Sequence, residues 1–249
     1  MAEIDFEHLA SGYDHRPMSA AARERAAAAA IAAGLGTGDL AVDVGGGRGG
    51  HAAVFAATGG MAIVVDRSLR MAVTARASGV AAVVGDGRWL PLGDGVCQLA
   101  YFHVSLHYGG WEAMLDEAVR VVAPGGVVWA WTFTREHFAA SFLARWFPSV
   151  VPIDEARFPD PVALADHLRH RGMEGVEIEP REEIVERSAA DWSTAVEGGF
   201  VSTLQVLDSR EKAAGLATFR REHPDPGEVL RYRLSYVSIW GRLPSLALR

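Results

Sequence analysis

Residues 40–50 have the sequence Leu-Ala-Val-Asp-Val-Gly-Gly-Gly-Arg-Gly-Gly. Four apolar residues interrupted by one acid are followed by five glycines in six positions, and an alanine-containing apolar run comes next. This order predicts a buried strand, a tight loop and the start of a helix. Because glycine has no Cβ, such a loop can adopt positive φ angles and let a ligand lie directly against the backbone.

Two cofactor-binding patterns overlap in this loop. Gly45, Gly47 and Gly50 satisfy G-x-G-x-x-G, the fingerprint of dinucleotide-binding folds. Asp43, Gly45, Gly47 and Gly49 satisfy D-x-G-x-G-x-G, a spacing found in enzymes that bind S-adenosylmethionine. The glycines alone therefore leave both cofactors open.

Strands and helices alternate downstream of residue 39. Apolar strands are predicted at about 40–44, 61–65, 81–85, 97–102 and 126–132, with helices near 50–58, 68–77 and 111–122. The alternation predicts a doubly wound α/β fold with a mostly parallel sheet covered on both faces. Ligands bind such sheets beyond the carboxyl ends of the strands.

Polar residues stand at these strand ends. Asp66 ends the second strand, about 20 residues beyond the loop, where a carboxylate can accept hydrogen bonds from both ribose hydroxyls. Asp86 follows the third strand and can accept from the exocyclic amine of adenine, which favours S-adenosylmethionine over NAD. The fourth strand ends in an aromatic and polar stretch that contains His103 and His107, where a second substrate would meet the cofactor.

Residues 39–133 resemble the class I S-adenosylmethionine-dependent methyltransferases of the small-molecule, ubiquinone-biosynthesis-like (type 11) kind. The resemblance rests on five elements in order: Asp43-x-Gly-x-Gly-x-Gly, Asp66, Gly85-Asp86-Gly87, the loop Leu106-His107-Tyr108, and Arg120-Val-Val-Ala-Pro-Gly-Gly. It implies a seven-stranded, Rossmann-like sheet whose last strand is antiparallel. We place the last two strands at about 175–185 and 232–242, with a helix over 161–172 before them.

The resemblance also implies a set of site residues. S-adenosylmethionine is expected as the cofactor, with S-adenosylhomocysteine as its product. The expected cofactor-binding residues are Asp43, Gly45, Gly47, Gly49, Asp66, Arg67, Asp86, Gly87, Arg88, Phe102, His103 and Tyr13. The acid at Asp43 favours the positively charged methionine end of the cofactor, directly or through water.

Two positions depart from the family pattern. Gln98 stands at the start of the fourth strand, where the family commonly has an aspartate, and we expect it to replace that residue in a structural hydrogen bond. His103 stands where a small polar residue is common, and we expect it to face the cofactor or the acceptor.

The predicted activity is methyl transfer to an oxygen or nitrogen, and less favourably to a carbon, of a small, partly apolar metabolite. Positioning and removal of water supply most of the catalysis. A general base is needed only when the acceptor still carries its proton, and His107 and His103 are the candidates, followed by His137 and Tyr13.

Two alternatives stay open. The first is an NAD(P)-dependent oxidoreductase, which the glycines and Asp66 favour. It is weakened because Lys212, the one lysine of the chain, is not part of a Tyr-x-x-x-Lys pair. The second is a non-catalytic S-adenosylmethionine-binding protein, since methyl transfer requires no fixed catalytic side chain.

We predict a single domain over residues 1–249. Residues 1–38 form an N-terminal helical arm, with its helix at roughly 20–33, and residues 39–133 form the cofactor-binding core. Residues 134–158 and 188–230 are the expected substrate lid. The aromatic residues at helical spacing within 134–158, Phe138, Phe142 and Trp146, are equally explained by helix packing.

The composition of the chain limits the partners, cross-links and location that we expect for it. The formal net charge is −7, which argues against nucleic acid and leaves a small-molecule acceptor. Cys97 is the single cysteine, so neither an internal disulfide nor a cysteine-based metal site is expected, and a cytoplasmic location is predicted. No stretch reaches about 18 consecutive apolar residues, so no membrane span is expected. A monomer or homodimer is expected.

Overall fold

The computed structural model describes residues 4–7, 10 and 18–245, which divide into two compact units. The first, called here the core unit, comprises Met18–Thr132, Pro159–Pro180 and the chain from Val237. The second, the insertion unit, comprises Phe133–Phe158, Arg181–Tyr236 and, of the N-terminal segment, residues 4–7 and 10. Residues 134–158 and 188–230, predicted as the lid, therefore fall in one unit, and whether that unit covers a substrate stays a prediction.

Seven strands form one sheet in the order β3-β2-β1-β4-β5-β7-β6. Their bounds are β1 Leu40–Val44, β2 Met61–Asp66, β3 Ala81–Val84, β4 Cys97–His103, β5 Val122–Phe133, β6 Glu174–Ser188 and β7 Val229–Arg242. Strands β1 to β5 pair in parallel. The Gly125 amide donates to the Leu243 carbonyl at 2.8 Å and the Leu243 amide to the Gly126 carbonyl at 2.9 Å. Because these bonds join the start of β5 to the end of β7, the last strand is antiparallel, and the predicted fold class is confirmed.

Between residues 18 and 245, ten α-helices follow or precede these strands. Their bounds are α1 Ala20–Ala33, α2 Gly50–Ala56, α3 Leu69–Ala77, α4 Trp111–Val121, α5 Arg135–Ala139, α6 Val150–Arg157, α7 Pro161–His170, α8 Ala189–Glu197, α9 Thr203–Val206 and α10 Ser209–Glu222. None of them is both long and apolar enough to cross a membrane.

Local signals account for the helix ends. The Ser19 hydroxyl accepts a hydrogen bond from the Ala22 amide and begins α1, and Gly34 ends it with a φ of 65°. Asp160 caps the start of α7, where Pro161 occupies the first turn and needs no amide partner. The sequence predicted both helices because such signals act within a few residues.

Strand β5 begins four residues earlier than predicted. The proline-containing turn at 123–126 was expected to precede the strand, but Val122 already pairs with Cys97. A register irregularity between Cys97 and Leu99 accommodates the extra residues. The pairing with Leu243 then extends the strand across the glycines. A contact with a distant strand has overridden the local turn signal.

The hydrophobic core of the core unit lies between the sheet and helices α4 and α7. Leu115 and Ala118 of α4 pack with Leu164 and Leu168 of α7 against the apolar residues of the central strands. At the start of β4, the Gln98 side-chain amide donates to the Ala33 carbonyl at 2.7 Å. This is the structural hydrogen bond that the sequence predicted for Gln98.

The insertion unit has an aromatic core of its own. Trp192 and Phe219 stack with ring centroids 3.9 Å apart, and Trp146 meets both rings edge-on. Phe142 and Trp146 belong to this cluster, although the chain between them is a short 3₁₀ turn, Phe142–Arg145, and not a continuous helix. Trp146 is therefore a buried packing residue of this unit.

Gly215 on α10 provides a test of this packing. A Cβ at this position would overlap the Phe147 ring and the Trp146 carbonyl oxygen. Gly215→Ala is therefore expected to lower the free energy of unfolding by about 1–3 kcal/mol through overpacking, although helix propensity alone predicts a gain of about 1 kcal/mol. Urea unfolding measures the difference.

The exposed residue Ala217 on the same helix provides the matched control. Ala217→Gly is expected to cost about 1 kcal/mol through helix propensity alone. A Gly215→Ala variant more stable than the native protein would contradict the packing described for α10.

Candidate cofactor-binding and active site

The glycine loop connects β1 to α2. The Gly45 amide donates to the Val65 carbonyl at 2.7 Å, which holds the loop against the end of β2. Gly45, Gly47 and Gly49 have φ angles of 70°, 55° and 80°. A Cβ on Gly45 would lie 2.6 Å from the Cβ of Ser105. Glycine is therefore required here both by backbone conformation and by close approach.

Asp43 lies buried beneath this loop. A Cβ on Gly46 would overlap its Oδ2 atom, and neither carboxylate oxygen has a hydrogen-bond partner among the described residues. Burial, reinforced by the nearby charge of Asp66, raises the pKa of Asp43 to about 7. The Ala52 amide opposes this shift without reaching hydrogen-bonding geometry.

Asp66 connects the end of β2 to the loop. Its Oδ2 accepts from the Gly47 amide at 2.9 Å, and its Oδ1 accepts from the Ser68 amide at 2.9 Å. An ionised carboxylate oxygen accepts more than one hydrogen bond, and ribose hydroxyls are donors that such an oxygen accepts. Asp66 thus shapes the loop and is chemically able to bind ribose.

Asp86 is held by two arginines. The Arg88 Nε and Nη2 atoms bind its Oδ1 and Oδ2 at 3.0 and 2.7 Å, and the Arg67 Nε lies 3.6 Å from Oδ2. The hydrogen bonds from Arg88 hold the pKa of Asp86 below its usual value, so this carboxylate stays ionised near neutral pH. The Arg88 guanidinium also lies 4.8 Å from the Trp89 ring.

Gly87 is required by packing. A Cβ here would lie 2.8 Å from both the Val44 Cγ1 and the Met114 Cε atoms. This close packing accounts for a glycine at position 87 without any ligand. The contact between Gly87 and the cofactor stays a prediction.

The two predicted catalytic histidines lie at and just after the end of β4. His103 is the last residue of the strand, and its ring centroid lies 4.3 Å from that of His51. His107 is buried in the one-turn 3₁₀ helix Leu106–Tyr108, with its ring 4.0 Å from that of Tyr108. Both therefore lie at the carboxyl end of a central strand, where the fold places ligands.

Ser105 and Val104 were not identified from the sequence. The Ser105 hydroxyl donates to the Val44 carbonyl at 2.7 Å, next to the glycine loop. Val104 has a φ of 55°, a strained conformation for a β-branched residue, and its amide donates to the Trp131 carbonyl at 2.9 Å. A serine between two candidate histidines was the available signal, but its partner is 61 residues away.

The remaining predicted residues differ in their placement. The Phe102 side chain is fully buried in the hydrophobic core, so only its backbone could contact a cofactor. Tyr13 lies outside the described residues. His137 belongs to the insertion unit, and burial lowers its pKa to about 4. It is therefore unsuited to accept a proton near neutral pH.

Metal-binding side chains are not grouped at this site. Within residues 4–7, 10 and 18–245, no three histidine, cysteine, aspartate or glutamate side chains lie together as metal ligands would.

Comparison with known proteins supports a methyltransferase. Residues 42–130 match the family model described as a methyltransferase domain. No curated protein matches the chain in sequence. The match and the sheet topology together support the class I methyltransferases.

Solved structures show the same fold at low identity. A candidate methyltransferase from Bacillus halodurans is 19% identical, with a TM-score of 0.63 and coverage of 89% of this chain and 100% of the other. A candidate methyltransferase of an antibiotic biosynthesis pathway from Anabaena variabilis is 18% identical, with a TM-score of 0.67 and coverage of 88% and 96%. A phosphoethanolamine N-methyltransferase from Haemonchus contortus, bound to phosphomonomethylethanolamine and S-adenosylhomocysteine, is 14% identical, with a TM-score of 0.56 and coverage of 96% and 52%.

The raised pKa of Asp43 predicts a pH dependence of stability. The native protein holds the Asp43 proton more tightly than the unfolded chain does, so this proton stabilises the fold at low pH. The contribution is complete below pH 3.8 and is lost as the pH rises to about 7. Urea unfolding of the ligand-free protein measures the free energy of unfolding across this pH range. Asp43→Asn is expected to remove the part of its pH dependence that Asp43 causes.

Asp94→Asn is the control, because it makes the same change of charge at a carboxylate whose side chain is 82% exposed. It should leave the slope close to that of the native protein. Parallel stability curves for the native protein and Asp43→Asn would refute the assignment.

Proposed function

We propose that this chain transfers the methyl group of S-adenosylmethionine to an oxygen or nitrogen atom of a small, partly apolar metabolite. Methyl transfer to a carbon atom is the next most favoured possibility. The proposal rests on the match of residues 42–130 to a methyltransferase domain and on the charge beneath the glycine loop.

The observation that carries the proposal is the burial of Asp43 directly under the loop. In dinucleotide-binding folds, the equivalent loop holds a pyrophosphate, which is an anion. An ionised carboxylate repels an anion and attracts a cation. Both Asp43 oxygens lack a hydrogen-bond partner among the described residues, so a positively charged ligand near the loop would compensate a charge that the protein leaves unbalanced.

The next two strand ends suit the adenosine portion of the same cofactor. We assign Asp66 to the ribose hydroxyls, because its carboxylate ends β2 against the glycine loop, where it accepts from the Gly47 amide, and a carboxylate accepts from hydroxyl donors. We assign Asp86 to the adenine amine, because the pairing with Arg88 keeps this carboxylate ionised. Arg67 and Arg88 remain proposed neighbours of the adenine ring.

When bound, S-adenosylmethionine supplies a methyl group on a positively charged sulfur. The protein then has to orient the acceptor and exclude water, and both effects favour transfer without a strong catalytic group. His107 and His103 are the proposed bases for an acceptor that still carries its proton. His107 is the first choice, because its burial in the Leu106–Tyr108 turn holds the ring in place.

The insertion unit is the proposed source of acceptor specificity. One of its segments follows β5, and the other contains the end of β6 and the start of β7. Its aromatic cluster is separate from the hydrophobic cluster of the core unit. Such a unit can vary in sequence without disturbing the strands that hold the cofactor. The small acceptor named for the Haemonchus contortus neighbour agrees with a small-molecule substrate.

Calorimetric titration with S-adenosylmethionine, S-adenosylhomocysteine and NAD tests the cofactor. The two adenosyl ligands are expected to bind and NAD is not. Asp66→Ala is expected to weaken adenosyl binding by about tenfold or more, since hydrogen bonds to a charged group contribute about 1.5–3 kcal/mol each.

Asp39→Ala is the matched control. Asp39 also accepts a backbone amide, that of Gly36 at 2.9 Å, but at the opposite end of β1. Its loss should leave ligand binding unchanged. Binding of NAD with no binding of the adenosyl ligands would refute the proposal and favour the oxidoreductase. Adenosyl binding without turnover across a panel of small hydroxyl and amine acceptors would favour a non-catalytic binding protein.

A further inference from the structure

The insertion unit contains a cavity that the proposed methyl transfer does not explain. Its volume is about 260 Å³, which is near the lower end of small-molecule sites. The residues that line it include His137, Phe142, Arg231, Tyr232, Arg233 and Ser235. We propose that this cavity binds a small carboxylate with an aromatic body, a function that goes beyond the proposed methyl transfer and does not depend on it.

The charge of the lining selects an anion. Arg231 and Arg233 are the charged residues among the lining side chains, and none of these is acidic. The Arg231 Nε lies 3.5 Å from Glu186 Oε1, and the Arg233 Nη1 lies 3.1 Å from Glu182 Oε1. All four side chains are more than half exposed, so each ion pair contributes little to stability. A bound carboxylate can therefore share these guanidinium groups at small cost.

The walls of the cavity favour an aromatic body. The Phe142 and Tyr232 rings stack with centroids 4.8 Å apart and planes within 13° of each other. Rings held in this way present a rigid apolar surface, on which another ring buries area with little loss of side-chain freedom. The limited volume restricts the ligand to about one ring and its acid group.

His137 adds a neutral hydrogen-bond donor to the lining. Its Nδ1 accepts from the Ser235 amide at 3.2 Å, so in the neutral ring the proton lies on Nε2. The ring stacks on Phe133 with centroids 4.1 Å apart, which holds its plane. Burial lowers the pKa of His137 to about 4, so the ring is neutral at pH 7 and can donate a hydrogen bond without carrying charge.

The probe is 4-fluorobenzoate, added to the full-length protein without S-adenosylmethionine and observed by fluorine NMR. Its cationic counterpart, 4-fluorobenzylamine, is the ligand control. The carboxylate is expected to bind and the amine to bind at least about tenfold more weakly, because the two arginines attract one and repel the other. Phe142→Leu should weaken binding of the carboxylate severalfold by removing part of the aromatic wall.

The double variant Arg231→Gln, Arg233→Gln should raise the dissociation constant of 4-fluorobenzoate about tenfold or more. The matched control is Arg145→Gln, Arg220→Gln, which removes two ion-paired arginines from the same unit, outside this lining. It should change binding less than about twofold. Equal binding of the two probes, or equal effects of the two double variants, would overturn the proposal.

The test is separable from that of the methyltransferase. Adenosyl binding is predicted to depend on Asp66 in the core unit, whereas 4-fluorobenzoate binding is predicted to depend on Arg231 and Arg233 in the insertion unit. Either result can therefore fail while the other holds.

Discussion

The structure depends most on the placement of the Asp43 carboxyl group, which is buried directly beneath the glycine loop. The loop can pass over Asp43 because Gly46 has no Cβ, which would overlap the Asp43 carboxylate. The same closeness removes the carboxyl group from water and raises its pKa to about 7. A constraint of shape has therefore become a constraint on charge, and the proposed preference for a cationic ligand over a pyrophosphate rests on it.

The strand order converts this local arrangement into a site. Strands β3, β2, β1 and β4 are neighbours in the sheet, so Asp86, Asp66, Asp43 and His103 reach the same edge from positions far apart in the chain. Hydrogen bonds then connect the loops at these strand ends: the Gly47 amide donates to Asp66, and the Ser105 hydroxyl donates to the Val44 carbonyl. The insertion unit has a different chemistry, with an aromatic core and an arginine-lined cavity. Acids thus dominate one proposed site and arginines the other.

Much of the fold could be predicted because its signals are local. The alternation of apolar strands with capped helices placed β1, β2 and α1 within a residue or two, and the spacing from Asp43 to Asp66 marked two strand ends. The start of β5 was missed because Cys97 and Leu243, both distant in sequence, extend it over a proline-containing turn. The aromatic stripe of the insertion was ambiguous, since helical spacing does not distinguish a packed ring from a substrate contact.

The sequence by itself determined the order of elements, the sheet class and the acids that end the strands, because periodicity and short-range caps depend on neighbouring residues. Only the tertiary structure decided the environments of the side chains. Asp43 is buried without a partner among the described residues, His137 is neutral, and Val104 is held at a φ of 55°. Each of these properties arises from burial and from contacts between residues that are remote in sequence, which no local pattern specifies.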